Sequence, residues 1–245
     1  MGGQAVRRSG GRLVRCAGAT LGAIALLTAS PPDRLTAQVG HSPDHSPYRD
    51  VKRGRTLILG AGYLSGGRGV VGVGPSNGTM GSARFEVLFG KPLSFFLGAA
   101  FGPLTRYVAD PTKNPPNRIF GPVTSNVLIV DGGMHLLLSG AKTWHGMAPY
   151  LGGSVAVAIA NDPAADTSGY RFRAKGTFGP HVGVRWYLGR RLAIRTEARL
   201  MFWQLTYPLA YYQPSPDGTR VLELGSADKE WTRHPWISAG LAWTF

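Results

Sequence analysis

Eight stretches of this chain alternate apolar and polar residues with a period of two. Successive side chains of a β-strand point to opposite faces, so each stretch is expected to be a strand with two unlike faces. The stretches are residues 56–64, 82–89, 93–103, 127–138, 145–159, 172–188, 192–202 and 234–245, most of them bounded by Gly or Pro. No long segment beyond the N-terminal leader shows a helical period. The connections impose a second constraint, because they alternate in length. Residues 90–92, 139–144 and 189–191 are short turns, whereas 65–81, 106–125, 161–171 and 206–233 are long. Long connections alternating with tight turns put every long loop at one end of an antiparallel sheet. With eight strands, both ends of the domain emerge at the short-turn end. The expected fold is all-β: an eight-stranded antiparallel up-and-down transmembrane β-barrel.

The last strand states the membrane argument most sharply. In residues 234–245, Ile237, Ala239, Leu241, Trp243 and Phe245 share one face, and Ser238, Gly240, Ala242 and Thr244 lie on the other with Trp236. One face is apolar and becomes more aromatic towards its end, which suits lipid better than water. It is expected to pair with residues 56–64 and so close the sheet, leaving no free edge.

Charges collect on the face opposite the apolar one. Arg84, Glu86, Asp131, His135, Arg173, Lys175, His181, Arg185, Arg195, Glu197 and Arg199 are the candidate lumen network. A soluble binding barrel turns its charges outward, and a membrane barrel turns them inward. An eight-stranded barrel has a lumen only wide enough for side chains to fill it, so these groups must pair with one another. Six bases against three acids leave an expected positive excess. Aromatics form two expected belts: Phe89, Phe95, Trp186, Trp243 and Phe245 near the short turns, and Tyr63, Phe101, Phe172 and Phe202 near the long loops.

Residues 1–37 read as a signal peptide. Arg7, Arg8, Arg12 and Arg15 precede a mostly apolar run from Cys16 to Ala29, and Leu35-Thr36-Ala37 suits cleavage. Its removal takes away five bases and one acid, lowering the formal charge from +14 to +10, and removes Cys16. Disulfides and cysteine metal sites are thereby excluded from the mature chain. Residues 38–54 read as a flexible periplasmic lead-in, where Ser42-Pro43-Asp44 between His41 and His45 argues against a helical metal pair. Residues 55–245 are the barrel domain.

Taken together, these features resemble the small eight-stranded outer-membrane barrels of Gram-negative-type bacteria, the OmpA/OmpX/OmpW-like group, over about residues 55–245. The resemblance implies an outer-membrane location and transit with periplasmic chaperones. It also implies insertion by the barrel-assembly machinery, read from a C-terminal signal comprising Leu241, Trp243 and Phe245. No peptidoglycan-binding domain is expected after the barrel.

Other motifs carry less. Gly60-Ala61-Gly62 and Gly72–Gly78 mimic nucleotide-binding loops, but a helix and a Lys-Ser/Thr ending are missing. His135, His145, His181 and His234 show no adjacent serine pattern for a Ser-His-acid hydrolase. The long loops carry Arg68, Arg106, Lys113, Arg118, Arg171, Arg220, Lys229 and Arg233, at the level expected for lipopolysaccharide phosphates. The expected function is structural or surface-interacting, with no catalytic residue, cofactor, metal or nucleic acid. A narrow anion-preferring channel, a lipid-modifying enzyme and a soluble periplasmic binding barrel are the alternatives.

Overall fold

The structure is a computed structural model that describes residues 46–51, 54–164 and 166–245. The proposed signal peptide and the His41/His45 pair lie outside the described residues. Among the described residues there are ten strands: β1 (Tyr48–Asp50), β2 (Arg55–Leu64), β3 (Gly78–Phe89), β4 (Leu93–Ala109), β5 (Ile119–Leu137), β6 (Lys142–Trp144), β7 (Met147–Ala160), β8 (Ala174–Tyr187), β9 (Leu192–Thr206) and β10 (Lys229–Thr244). All pairings are antiparallel, and β7 bonds both β5 and β8. Eight strands, β2–β5 and β7–β10, therefore close into a ring. The seam is the expected one: β10 pairs with β2 through Ala239↔Ala61, Leu241↔Leu59 and Trp243↔Leu57. The Phe245 amide donates to the Arg55 carbonyl, so both ends of the ring meet at the short-turn end.

The alternation sorts side chains as the period-two pattern requires. On β4, Ser94, Phe96 and Ala100 are buried, while Phe95, Leu97 and Phe101 are exposed. The exposed face is apolar around the ring: Leu97 is 65% exposed, Val155 70% and Ile237 69%. Water is a poor solvent for a contiguous girdle of this kind, and hydrocarbon is a good one. Two aromatic fringes edge it. Trp144 and Tyr48 join Phe89, Phe95, Trp186, Trp243 and Phe245 at the short-turn end. Phe178, stacked on Phe202 with centroids 5.2 Å apart, and Trp231 join the long-loop end.

Several expectations need correction. Phe172 is not on the outer belt: it is buried and meets Trp203 edge-on, 5.8 Å between centroids. Arg173 takes φ +55°, which interrupts the alternation before β8 begins at Ala174. β4 and β5 run on as a hairpin to Ala109 and Ile119, with a register shift between Arg106 and Val108. Pro103 closes the expected third strand, and Gly121 and Pro122 fall inside the expected long loop 106–125. The structure accommodates them within paired strands, Pro103 opposite Asn126. Finally, part of the expected lead-in is β-structure: Tyr48–Asp50 pairs with Lys142–Trp144, and buried Val51 donates its amide to the Ala141 carbonyl.

Candidate functional site

The lumen has two storeys. The storey nearer the short turns holds a salt-bridge network built from five strands. β3 supplies Arg84 and Glu86, β5 Asp131 and His135, β8 Arg185, β9 Arg195, Glu197 and Arg199, and β7 Tyr150, while His181 of β8 packs edge-on against the His135 ring with no hydrogen-bond partner among the described residues. All are buried. Glu197 is the hub. Its carboxylate accepts from Arg84 Nη1 at 3.2 Å, Arg199 Nη2 at 3.0 Å, Tyr150 Oη at 3.0 Å and Arg195 Nη2. Arg195 Nε also donates to Tyr150 Oη at 2.6 Å. Asp131 Oδ2 receives Arg84 Nη2 at 3.2 Å and Arg199 Nη1. Glu86 receives Arg185, and His135 Nδ1 lies 3.3 Å from the same oxygen. Phe96 is sandwiched between His135, stacked at 4.5 Å, and the Arg84 guanidinium at 4.2 Å.

Glycines on the same inner face make this crowding possible. A Cβ on Gly98 would stand 2.7 Å from Asp131 Oδ1, and one on Gly183 would overlap the Tyr150 hydroxyl. Small residues beside large ionic ones are how so narrow a ring holds four guanidinium groups.

Nine of the eleven predicted lumen residues therefore come together, and two do not. Arg173 is exposed and outside the strand, and Lys175 sits at the upper rim, where it donates to Thr206 Oγ1 at 3.2 Å. Their departure changes the electrostatics. Four arginines now face three carboxylates, so the expected positive excess shrinks to a single charge. Tyr150 and Phe96 were not recognised as members. Their inward parity was legible, but only the register places them against Glu197 and His135.

The upper storey is apolar, against the expectation of a polar lumen throughout. Leu64, Met80, Leu104, Ile129, Phe172 and Trp203 are buried in one cluster with their neighbours. The loops close over it. Arg106, fully buried, pairs with Asp166 and lies 3.8 Å from Asp162. Arg118 donates to the Arg220 carbonyl at 2.7 Å, to Ser215 Oγ at 3.0 Å and to Thr219. These two arginines are thus internal staples, not the outward-facing cations expected of them. Thr112 and Thr167 donate to Asp110. Burial opposes ionisation there, but these bonds and the Lys113 ammonium outweigh it and hold the carboxyl below its usual range. Burial pushes the Tyr211 phenol up to about 12, as a dry cap interior should.

His135, His181 and Glu197 present ligand atoms within 4.8 Å of one another, the geometry of a cation site. Arg84, Arg195 and Arg199 already occupy the Glu197 carboxylate, however, and Arg195 Nη2 points at His135 Nε2 from 3.3 Å. A divalent ion would enter among three guanidinium groups, so the residues fit an ion-pair lattice better than a metal. Nor do they form a hydrolase relay. Ser94 Oγ and Glu86 both approach Nδ1 of His135, at 3.4 and 3.3 Å, whereas a relay needs serine and acid on opposite nitrogens; Glu197, on the Nε2 side, stays 3.7 Å away and is held by Arg84, Arg195 and Arg199. His234 is stacked on Trp203 and bonded to Thr232, and His145 lies in an exposed turn.

No known family profile and no curated protein matches the chain. Solved structures do. Neisserial surface protein A aligns with a TM-score of 0.51 at 12% identity, covering 78% of this chain and 97% of that one. The outer membrane protein OprG from Pseudomonas aeruginosa aligns with a TM-score of 0.51 at 14% identity, covering 80% and 98%. At such identities the likeness speaks for the fold alone. Ring closure, strand order, an apolar exterior and an ionic interior agree with it, and the chain has the fold of the small eight-stranded bacterial outer-membrane β-barrels.

Proposed function

We propose that the protein resides in the outer membrane, long loops outward, and has a structural or surface-interaction role without catalysis or solute conduction. The closed lumen carries this reading. An ionic lattice fills its lower storey, an apolar cluster fills its upper storey, and stapled loops lie over the mouth. A hydrated path would have to pass the apolar cluster of Leu64, Met80, Leu104, Ile129, Phe172 and Trp203. The near-balanced lumen charge also removes the motive for an anion channel. Cells should yield the protein in the outer-membrane fraction, with different gel mobility before and after heating. In planar bilayers it should be electrically silent. Steady unitary conductance would overturn the closed-lumen reading, and recovery in the soluble periplasm would overturn the location.

What the surface offers to partners follows from the corrected cap. Lys113, Arg171, Lys229 and Arg233 keep their exposure and are the cations left to meet lipopolysaccharide phosphates. Chaperone escort and insertion by the barrel-assembly machinery belong to the same proposal, with Leu241, Trp243 and Phe245 as the signal. Their side chains point outward and contribute nothing to the lumen. Deleting Phe245 should therefore lower the assembled fraction in cells several-fold, yet leave refolding into detergent micelles unchanged. Equal assembly in cells would reduce Phe245 to an edge residue.

A further inference from the structure

We propose that the short-turn end binds the phosphodiester headgroups of anionic phospholipid, through two basic clefts on either side of the β1 segment. The proposal rests on the bilayer-spanning reading above and adds a lipid preference to it.

β1 is not part of the ring. It pairs with β6, and the following Val51 is anchored by its amide to the Ala141 carbonyl. One cleft, of about 580 Å³, is lined by Arg49, Thr143, Tyr187 and Arg190. The other, of about 540 Å³, is lined by Lys91, Ser139 and Lys142. Asp50 and Val51 contribute to both. Each cleft thus combines two cations and backbone with one free hydroxyl, Tyr187 in the first, where Thr143 donates to the Arg49 carbonyl, and Ser139 in the second, a donor set matched to a phosphate diester. Arg55 and Arg191 extend the same rim, and all six bases are exposed. Among the described residues none of the six is in an ion pair with an acidic side chain, and Asp50 is the single acidic side chain lining either cleft.

The aromatic fringe says what meets these cations. Trp144 follows the cleft residue Thr143, and Trp186 precedes the cleft residue Tyr187. Both indoles face outward, 49% and 55% exposed, together with Trp243 and Phe245. Such side chains settle at the boundary between acyl chains and headgroups. Clefts one residue beyond them open at headgroup depth, where anionic lipid attracts clustered Lys and Arg. The opposite end pairs more of its bases: Arg106 and Arg118 are consumed within the cap and Lys113 and Arg171 lie beside Asp110 and Asp162, which leaves Arg173, Lys229 and Arg233 exposed and lining no cleft with a second base and a free hydroxyl like those beside β1.

The test uses the refolded protein in phosphatidylcholine bilayers doped with either brominated phosphatidylglycerol or brominated phosphatidylcholine. Quenching of tryptophan reports which lipid gathers at the rim. The wild type should favour phosphatidylglycerol several-fold, and added salt should erode the preference. Arg49→Ser, Lys91→Ser, Lys142→Ser and Arg190→Ser together should bring the two lipids to parity. Each cleft's pair replaced alone should lose part of the preference. Lys113→Ser with Arg171→Ser and Arg233→Ser should leave it intact. Equal quenching in the wild type, an unchanged preference in the fourfold variant, or loss on changing the long-loop set would each overturn the proposal. Vesicle flotation and the unheated gel band report insertion separately, so failure of the bilayer reading would be recognised apart from absence of lipid preference.

Discussion

Replacing Glu197 with leucine is expected to cost the barrel most or all of its folded population. The variant removes the one carboxylate that Arg195 pairs with, together with a shared partner of Arg84 and Arg199. Asp131 still holds the latter two, but Arg195 would be left buried and uncompensated beside Tyr150 and His135. Breaking a buried pair by deleting one partner costs about 3–5 kcal/mol, because the surviving charge keeps its desolvation penalty. That is comparable to the roughly 5–15 kcal/mol total stability of a typical domain. Glu197→Gln keeps two acceptor or donor positions and nearly the same volume, and should cost less than leucine does. Urea titration of the refolded protein, read by the unheated gel band, measures both. A leucine variant with an unchanged midpoint would show that the three guanidinium groups are solvated within the ring and do not depend on Glu197.

The second large effect is expected on the outside, where Leu97→Arg should destabilise the barrel by about 2–4 kcal/mol in a bilayer, the depth-dependent cost of a guanidinium on a lipid-facing strand. Leu97 lies on the outer face of β4 between Phe95 and Phe101, which mark the two aromatic fringes, and is 65% exposed. The sign of the effect separates the environments. In water, an exposed leucine changed to arginine is close to neutral and favours solubility. In lipid the guanidinium must reach the headgroups or drag water inward. Unfolding midpoints in vesicles against those of wild type decide it. A neutral result would mean that the girdle does not face hydrocarbon, and with it the location proposed above would fall.

The two experiments probe opposite faces of the same strands. On the location proposed above, the outer face depends on lipid, and the inner face depends on every charge having its counterpart. A barrel of this kind turns the usual arrangement inside out: its ionic groups are packed like a core, and its leucines meet the solvent. Retaining seven charges in so small a lumen is not the cheapest way to fill it, since well-packed apolar residues often do as well. One consequence of the ionic filling is that register is demanding. A one-residue slip of β9 would send Arg195, Glu197 and Arg199 into the girdle.

Much of this was readable before any coordinates. The pleat places neighbouring residues on opposite faces by local geometry alone, so the membership of the two faces follows from parity. That sufficed for Arg84, Glu86, Asp131, His135, His181, Arg185, Arg195, Glu197 and Arg199, for the seam between β10 and β2, and for the outward Leu241, Trp243 and Phe245. Parity failed where the backbone broke it. A left-handed Arg173 turned Phe172 inward and left Arg173 itself exposed outside the lattice, while Lys175 kept its parity but lay too near the rim.

The remainder was decided across the ring. Arg84 meets Glu197 at a separation of 113 residues, and Arg118 meets the Arg220 carbonyl at 102. Such pairs depend on strand tilt and stagger, which no local pattern encodes. The division of the lumen into an ionic and an apolar storey has the same origin. Parity says that Ile129 and Asp131 both point inward. Only the closed ring says that Ile129 meets Leu104 and Trp203 while Asp131 meets Arg84 and Arg199. The strands and their two faces follow from a two-residue repeat, and the closing seam from an even number of strands joined by alternating short and long connections. Which charges neutralise which, that loop arginines are staples, and which side chains fill the lumen all depend on contacts between strands far apart in the chain.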